Sequence, residues 1–341
     1  MRFDFAVGNP PYHAECGGSC SAFTPVYHLF MEQTYAVSDV IEVVTPARFL
    51  FNAGMTPKAW NTKMLHDVHL KVPYYADKSA VVFEGVDLRG GVAVTHRNSL
   101  QEYGAIGVFI RFPELVSIIQ RMRGTFDRNL GELVSARGVY ALNMEACQAY
   151  SDKLAMRDRH VLTSNAFDKY AFVFHEEEPT CTEGYAKIIG RCTGARSYRW
   201  VKSAYLTLHD SFEYFKVFLP DASHELTDRA AQLISYPILG RPFEGCTETY
   251  RCIGAFETEQ EASACMKYIQ TRFVRALLGA LKTTQHMPRE TWAYVPMQDF
   301  TESSDIDWSD TVNGVDRQLY RKYMLTDREI AFIETHLKEM G

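Results

Sequence analysis

The sequence predicts an α/β chain: a doubly wound and mostly parallel sheet over residues 1–123, then a mixed α+β region over 124–285, then a linker and helix over 286–341. Three observations predict it. Short β-branched runs alternate with amphipathic stretches through about residue 123. Beyond that point aromatic-rich segments and long polar turns replace the alternation. Apolar residues make up 46% and charged residues 23% of 341, the proportions of a core-forming chain with room for two domains.

Each element has its own signal. FDFAVG reads as a short strand whose turn is supplied by Gly8 and Asn9. TPVYHLFMEQTYAV is an amphipathic helix by the helical spacing of Val26, Leu29, Phe30 and Gln33. VIEVVTP is a β-branched strand stopped by Pro46, and TPKAWNTKMLHDV a second helix with Pro57 in its first turn. LKVPYY and GGVAVTHR complete the set, before the helical PELVSIIQRMR. After FVFHEEEPT, GYAKIIGRCTGARSYRWV and EYFKVFLPDAS, a long helix is expected over 259–282. Thr258 and Glu261 have capping-box spacing there, and Met266, Ile269, Phe273, Leu277 and Leu281 make one apolar stripe. LTDREIAFIETHLKEM repeats the signal at Thr326 and Glu329, and the acidic DFTESSDIDWSD between the helices reads as a solvated linker.

Composition narrows the function classes. No run reaches the roughly 20 apolar residues of a membrane span, and Asp4 near the N-terminus does not suit a signal peptide, so cytoplasm is the expected location. The eight cysteines lack the paired short spacing of a zinc ribbon; His13 and His28 near Cys16 and Cys20 are conceivable ligands, but free thiols and no metal are expected. A net charge of −6 makes any nucleic-acid contact the work of a local basic face.

One stretch carries chemistry: Asn9-Pro10-Pro11-Tyr12, immediately after the first strand. Ligands of α/β sheets sit at the carboxyl ends of strands. Two prolines without N–H donors and with fixed φ leave the Asn9 side-chain oxygen and the Pro10 carbonyl as pre-aimed acceptors. Such a pair suits an exocyclic amine, whose lone pair is otherwise delocalised into its ring. Tyr12 offers a face on which an extruded base can stack. The plain alternative is a rigid strand-to-loop turn with a packed tyrosine.

FDFAVGNPPY resembles the catalytic motif of the adenine-specific N6 DNA methyltransferases of bacterial type II restriction–modification systems, in the branch that combines methylase and endonuclease. VIEVVTPARFL, with Pro46 and Arg48, is similar to the strand-and-turn motif that follows. VFEGVDLRGGVAVTHR, with Phe83, Gly85, Asp87, Gly90 and Gly91, is similar to the hairpin that helps form the target-base pocket. GYAKIIGR, SYPILGRPFEGCTETYRCIGAFETEQEA and RFVRALLGALKTTQHMPRETWAYVPMQDF resemble the target-recognition region and C-terminal segment, so the likeness covers nearly the whole chain.

The resemblance implies a partial methyltransferase sheet followed by a target-recognition domain. Asn9, Pro10, Pro11 and Tyr12 would be catalytic, and Pro46, Arg48, Asp87 and Gly90 would form the base pocket. Double-stranded DNA would be the partner and S-adenosylmethionine the methyl donor. The family's glycine-rich cofactor turn is missing: eight residues precede Asn9, and CGGSC, RGGVAV and YGAIG lack the strand-turn-helix setting. The cofactor site is therefore expected to be incomplete, with a separate N-terminal half or a second chain covering the open sheet edge. The alternative is a non-catalytic DNA-recognition module or remnant.

Two basic clusters remain. Lys267, Arg272, Arg275 and Lys282 occur between Ala262 and Pro288 without an acid among them. They form either a phosphate-docked helix face, extended by Arg289, or an ordinary polar face. Arg191, Arg196, Arg199 and Lys202 interleave with Tyr198 and Trp200, as either a DNA-contacting turn or a solvated hairpin tip. His96, His175 and His209 read as structural, Glu176–Glu178 as a loop charge run, and no nuclease constellation is evident.

Overall fold

The computed structural model describes residues 3–14, 24–85, 88, 90–156, 159–221, 232–281 and 289–340. The chain divides into two compact units, Met1–Arg111 and Phe112–Gly341. In the first, β1 (Phe3–Gly8) leads through the short pair β2 (His13–Ala14) and β3 (Thr24–Pro25) into α1 (Tyr27–Val37) and β4 (Ser38–Pro46). After α2 (Lys58–His66) come β5 (Leu70–Ala76) and β6 (Val92–Asn98).

The four long strands form one sheet in the order β1-β4-β6-β5. β1 pairs parallel with β4, while β6 runs antiparallel to both β4 and β5. Pairing in this sheet is thus mixed rather than mostly parallel, and the connections explain why. Helices α1 and α2 carry the chain between strands of the same direction. Among the described residues the β5–β6 link carries a single 3-10 turn, Ser79–Val81, and the chain doubles back.

Register fixes what each face buries. Ala6 lies opposite Ile41 and Gly8 opposite Val43. Ile41 and Val43 join Tyr27 and Met31 of α1 and Trp60 and Met64 of α2 in a single core. Both helices feed this core, where a doubly wound sheet has helices on both faces. The face of α1 that bears Leu29 and Phe30 points outward, at 52% and 46% exposure, and Tyr27, His28 and Met31 point inward. The alternate β1 positions Phe3, Phe5 and Val7 are also exposed, at 49%, 53% and 72%.

The second unit begins with α3 (Pro113–Met122), β7 (Ala141–Leu142), α4 (Met144–Ala149), β8 (His160–Val161) and α5 (Ala166–Lys169). The strands β9 (Tyr185–Cys192), β10 (Ala195–Lys202), β11 (Leu206–Thr207), β12 (Phe215–Pro220), β13 (Ile238–Gly240), β14 (Glu244–Cys246) and β15 (Tyr250–Phe256) follow. They make three small sheets, β10-β9-β14, β11-β7-β8 and β13-β12-β15. Helices α6 (Glu259–Gln270), α7 (Arg272–Leu281), α8 (Val312–Lys322) and α9 (Asp327–His336) complete the unit.

Three organisational expectations change here. Helix α3, grouped by the sequence with the first 123 residues, belongs to the second unit. Ser117 Oγ and Arg121 Nη2 of α3 donate to Glu329 Oε1 of α9 at 2.6 and 3.3 Å. The helix expected over 259–282 is broken at Thr271, because Asp316 of α8 accepts from the Arg272 and Phe273 N–H groups at 3.0 and 2.9 Å. That borrowed carboxylate starts α7 as a new helix. The acidic segment is folded rather than a solvated linker. Ile306 is buried, Trp308 Nε1 donates to Asp299 O at 2.9 Å, and Lys267 Nζ donates to the Trp308 and Asp310 carbonyls. No helix among the described residues is long and apolar enough to cross a membrane.

Glu329 makes the α3–α9 contact pH-dependent. Burial alone would raise its pKa, but bonds from Ser117 and Thr326 and the charge of Arg121 outweigh it and hold the carboxyl below its ordinary value of 4.5. A depressed carboxylate stabilises the fold above that value and loses the contribution as pH falls through the folded pKa. Glu329→Gln is expected to lower stability at pH 7 and to flatten the acid limb below about pH 4.5, measured by urea unfolding at stepped pH. Parallel acid limbs for the two proteins would remove Glu329 from this role.

Candidate functional site

The loop Asn9–Tyr12 leaves the carboxyl end of β1, an edge strand held on one side by β4. Asn9 and Pro11 are exposed, and Pro10 and Tyr12 are half-buried. Among the described residues nothing lies within 4 Å of where a side chain on Gly8 would start. The loop is pinned beyond Tyr12. The Tyr12 carbonyl accepts from Val26 N at 3.0 Å, and His13 and Ala14 pair with Pro25 and Thr24.

Tyr12 packs against the core of the first unit, with its hydroxyl buried and the Asn9 side chain beside it. The exposure it retains is therefore on ring and backbone. Burial raises its pKa, and the neighbouring Asn9 side chain offsets part of that rise.

At the carboxyl end of the next strand, β4, Pro46 is buried and a 3-10 turn, Ala47–Phe51, follows. Ala47, Phe49 and Leu50 point into the core and Arg48 points out. Gly90 and Gly91 both have positive φ, at 88° and 78°. A side chain on Gly91 would start 2.1 Å from Ala76 O, so glycine is required there. Gly91 O in turn accepts from Ala47 N at 3.0 Å, which ties the start of β6 to the end of β4. Of the residues expected to form the base pocket, Pro46, Arg48 and Gly90 are described, and Asp87 lies outside the described residues.

A second constellation sits on the β9–β10 hairpin, whose turn residues Thr193 and Gly194 both have positive φ, at 48° and 84°. Such a two-residue turn matches the strand twist. Cross-strand pairs place Arg191 opposite Arg196, Ile189 opposite Tyr198, Lys187 opposite Trp200 and Tyr185 opposite Lys202, on one face. Lys187 Nζ lies 4.7 Å over the Tyr198 ring and 5.7 Å over that of Trp200. Arg191 Nη2 donates to Gly194 O at 2.6 Å. Among the described residues no acid pairs with Arg191 or Arg196, and two like charges directly opposed destabilise a hairpin unless an anion joins them.

Arg199 does not share that face. Its odd position turns it to the other side, where Nη2 is 3.0 Å from Glu176 Oε1 and the guanidinium lies 5.7 Å from the Phe167 ring. The strand period of two already separates it from residues 196, 198, 200 and 202. Lys187, absent from the expected DNA contacts, joins Arg191 and Arg196 only through the pairing register.

The basic helix face is corrected outright. Arg275 is fully buried, and its guanidinium donates to the carbonyls of Gln270, Thr271, Gln232 and Lys338 at 3.0, 3.2, 3.1 and 2.6 Å. Arg272 donates to Leu337 O and Asn313 Oδ1 and pairs with Glu339 at 3.3 Å. Both arginines hold the C-terminal segment; neither faces solvent as a phosphate ligand. Arg289 is exposed but belongs to a separate turn, Arg289–Trp292, and donates to Glu132 O at 3.3 Å. Lys282 lies outside the described residues, as do Cys16 and Cys20.

The His assignments are structural where described: His96 bridges Glu42 and Tyr103, each at 3.2 Å, and His209 bonds Ser211 at 2.8 Å. A cleft of about 1200 Å³ opens between α6 and the 300–309 segment. Glu302, Asp305 and Asp307 line it, which disfavours phosphate.

A family model described as Eco57I restriction-modification methylase matches residues 1–83. The match spans β1 to β5 and includes Asn9–Tyr12 and Arg48, and it supports a restriction–modification methylase for this segment. Comparison with curated proteins gives no match.

Arg275→Ala is expected to destabilise the chain by about 3 kcal/mol, because it strands several buried carbonyls at once. Urea unfolding measures it. An unchanged midpoint would return Arg275 to the surface role expected from the sequence.

Proposed function

We propose that this chain is the catalytic-loop and target-recognition part of a DNA adenine N6-methyltransferase of a restriction–modification system. The observation that carries the reading is the exposed Asn9 at the carboxyl end of β1, inside the segment matched by the methylase model. Asn9 Oδ1 and the Pro10 carbonyl accept the two hydrogens of the target amine. That draws its lone pair out of conjugation with the ring and toward the methyl donor. Pro11 keeps the loop stiff. Tyr12, with its hydroxyl end anchored in the core, offers its ring to the extruded base.

When bound, S-adenosylmethionine supplies the methyl group. The described residues do not by themselves fit it. Among the described residues of the first unit the glycines with positive φ are 54, 85, 90, 91, 104 and 107, and none of these is the cap of α1 or α2; Gly17 and Gly18 lie outside the described residues. The residues that start α1 and α2 are Val26 and Pro57. A further segment, on this polypeptide or another, is therefore proposed to bring the cofactor cradle and to cover the free edge of β1 and its exposed Phe3, Phe5 and Val7.

The hairpin face of Lys187, Arg191, Arg196, Tyr198, Trp200 and Lys202 is proposed to meet DNA, phosphate on the arginine pair and sugar or base against the aromatics. A duplex phosphate supplies the anion that the opposed Arg191 and Arg196 call for. A recognition module without catalysis shares this hairpin but assigns no task to Asn9.

Two outcomes follow. With the cofactor segment present, Asn9→Ala is expected to cost about 2–4 kcal/mol of transition-state stabilisation, seen in single-turnover methyl transfer with DNA affinity nearly unchanged. An unaltered rate constant would favour the recognition module. Replacing both Arg191 and Arg196 by Ala is expected to weaken binding to every duplex and to flatten the log–log salt dependence by about 0.9, the value for the one phosphate they share. A double variant with the wild-type salt slope would remove the hairpin from the interface.

A further inference from the structure

Arg48 is built unlike the other exposed basic residues of the first unit. Its 3-10 turn buries Ala47, Phe49 and Leu50, so the backbone that carries it is fixed by the core. Its carbonyl accepts from Ala53 N at 3.0 Å, closing the turn from the other side. The side chain then passes between two glycines, both with positive φ: Gly54 at 90° and Gly90 at 88°. A side chain on Gly54 would start 3.3 Å from Arg48 Cβ and 3.6 Å from Nε. One on Gly90 would start 2.7 Å from Arg48 Cγ. A Cβ on Gly90 would collide with the stem, and one on Gly54 would press against it.

Both walls are themselves held. Asn61 of α2, fully buried, accepts from Thr56 Oγ1 at 2.7 Å and donates to Asn52 Oδ1 at 3.2 Å, which fixes the 52–56 loop that bears Gly54. On the other side, Gly91 N donates to Leu88 O and Gly91 O accepts from Ala47 N, both at 3.0 Å, while the Tyr75 hydroxyl donates to Gly90 O at 3.4 Å. A long flexible stem is thus immobilised, yet its charged end is left outside. Among the described residues no carboxylate or carbonyl takes the guanidinium, and Arg48 is exposed. Its charge is nonetheless felt inward, where it offsets part of the burial that pushes the Tyr27 hydroxyl up to about 12.

An arginine fixed along its stem and open at its fork is a pre-organised oxyanion receptor, since the ordering of a long side chain has been met before the ligand arrives. Arg48 stands at the carboxyl end of β4, the strand beside the one that presents Asn9. We infer that Arg48 binds a backbone phosphate of the target DNA strand, at or next to the nucleotide whose base Asn9 handles, and so positions that nucleotide. This rests on the reading of the chain as a DNA methyltransferase. It moves Arg48 from the wall of the base pocket to the sugar–phosphate side, and makes Gly90 a wall of the arginine channel.

The test is a fluorescence-anisotropy titration of the full chain with labelled duplex DNA at several salt concentrations, beside thermal unfolding to confirm that each variant folds. Arg48→Ala is expected to weaken binding roughly fivefold to tenfold and to flatten the salt slope by about 0.9, the value for one phosphate. Arg48→Lys keeps the slope and recovers only part of the affinity, because a point charge lacks the two-pronged fit. On duplexes with single neutral methylphosphonates, one position should weaken wild-type binding and leave Arg48→Ala unaffected. Unchanged affinity and slope for Arg48→Ala, with the wild type binding DNA in a salt-dependent way, overturns the inference alone. With the cofactor segment supplied, a variant that loses S-adenosylmethionine binding in calorimetry, with its DNA titration intact, overturns it too by assigning Arg48 to the cofactor carboxylate. Failure of the methyltransferase reading shows elsewhere, in methyl transfer that ignores the identity of residue 9.

Discussion

The candidate site depends on the parallel pairing of β1 with β4, from Phe3 against Ser38 to Gly8 against Val43. Two neighbouring strands of the same direction deliver their carboxyl ends to the same edge of the sheet. One end carries Asn9 and the other the turn with Arg48. A one-residue slip would exchange Ala6 and Gly8 for Val7 on the buried face and lift the loop off its anchor at Val26. The register is thus set by the core formed with Ile41 and Val43, and the chemistry at the strand ends inherits it.

That pairing also leaves β1 with a free edge among the described residues and with Phe3, Phe5 and Val7 exposed beside it. Isolated proteins usually blunt such an edge with charge, proline or a covering element. Here the strand that positions Asn9 is the least protected of the sheet. An arrangement of this kind suits a loop that works against a further segment, the place we propose for the cofactor cradle.

Much of the local structure was legible in the sequence, and the failures share a cause. The strand FDFAVG is β1, and the capping boxes at Thr258 and Thr326 start α6 and α9 because those signals are local. The break at Thr271 was not legible, since the carboxylate that starts α7 comes from Asp316, far along the chain. Arg272 and Arg275 looked like a basic face because charge in a sequence does not reveal burial. Only the fold shows that the carbonyls of Gln232, Leu337 and Lys338 surround them. The outward face of α1 misled for the converse reason: apolar spacing locates a surface to be covered without saying by what. The motif Asn9–Tyr12 and the run from Arg191 to Lys202 stood out in the sequence, whereas Lys187 needed the hairpin register to join Arg196 and Tyr198.

The account turns on which atom receives the methyl group. The direct measurement is mass analysis of nucleosides from DNA incubated with isotopically labelled S-adenosylmethionine, this chain and the polypeptide segment that supplies the cofactor cradle. Two acceptors aimed at an exocyclic amine, with a tyrosine to stack the purine, predict label in N6-methyldeoxyadenosine alone. Label at carbon 5 of cytosine, or in a nucleoside other than deoxyadenosine, would contradict the account.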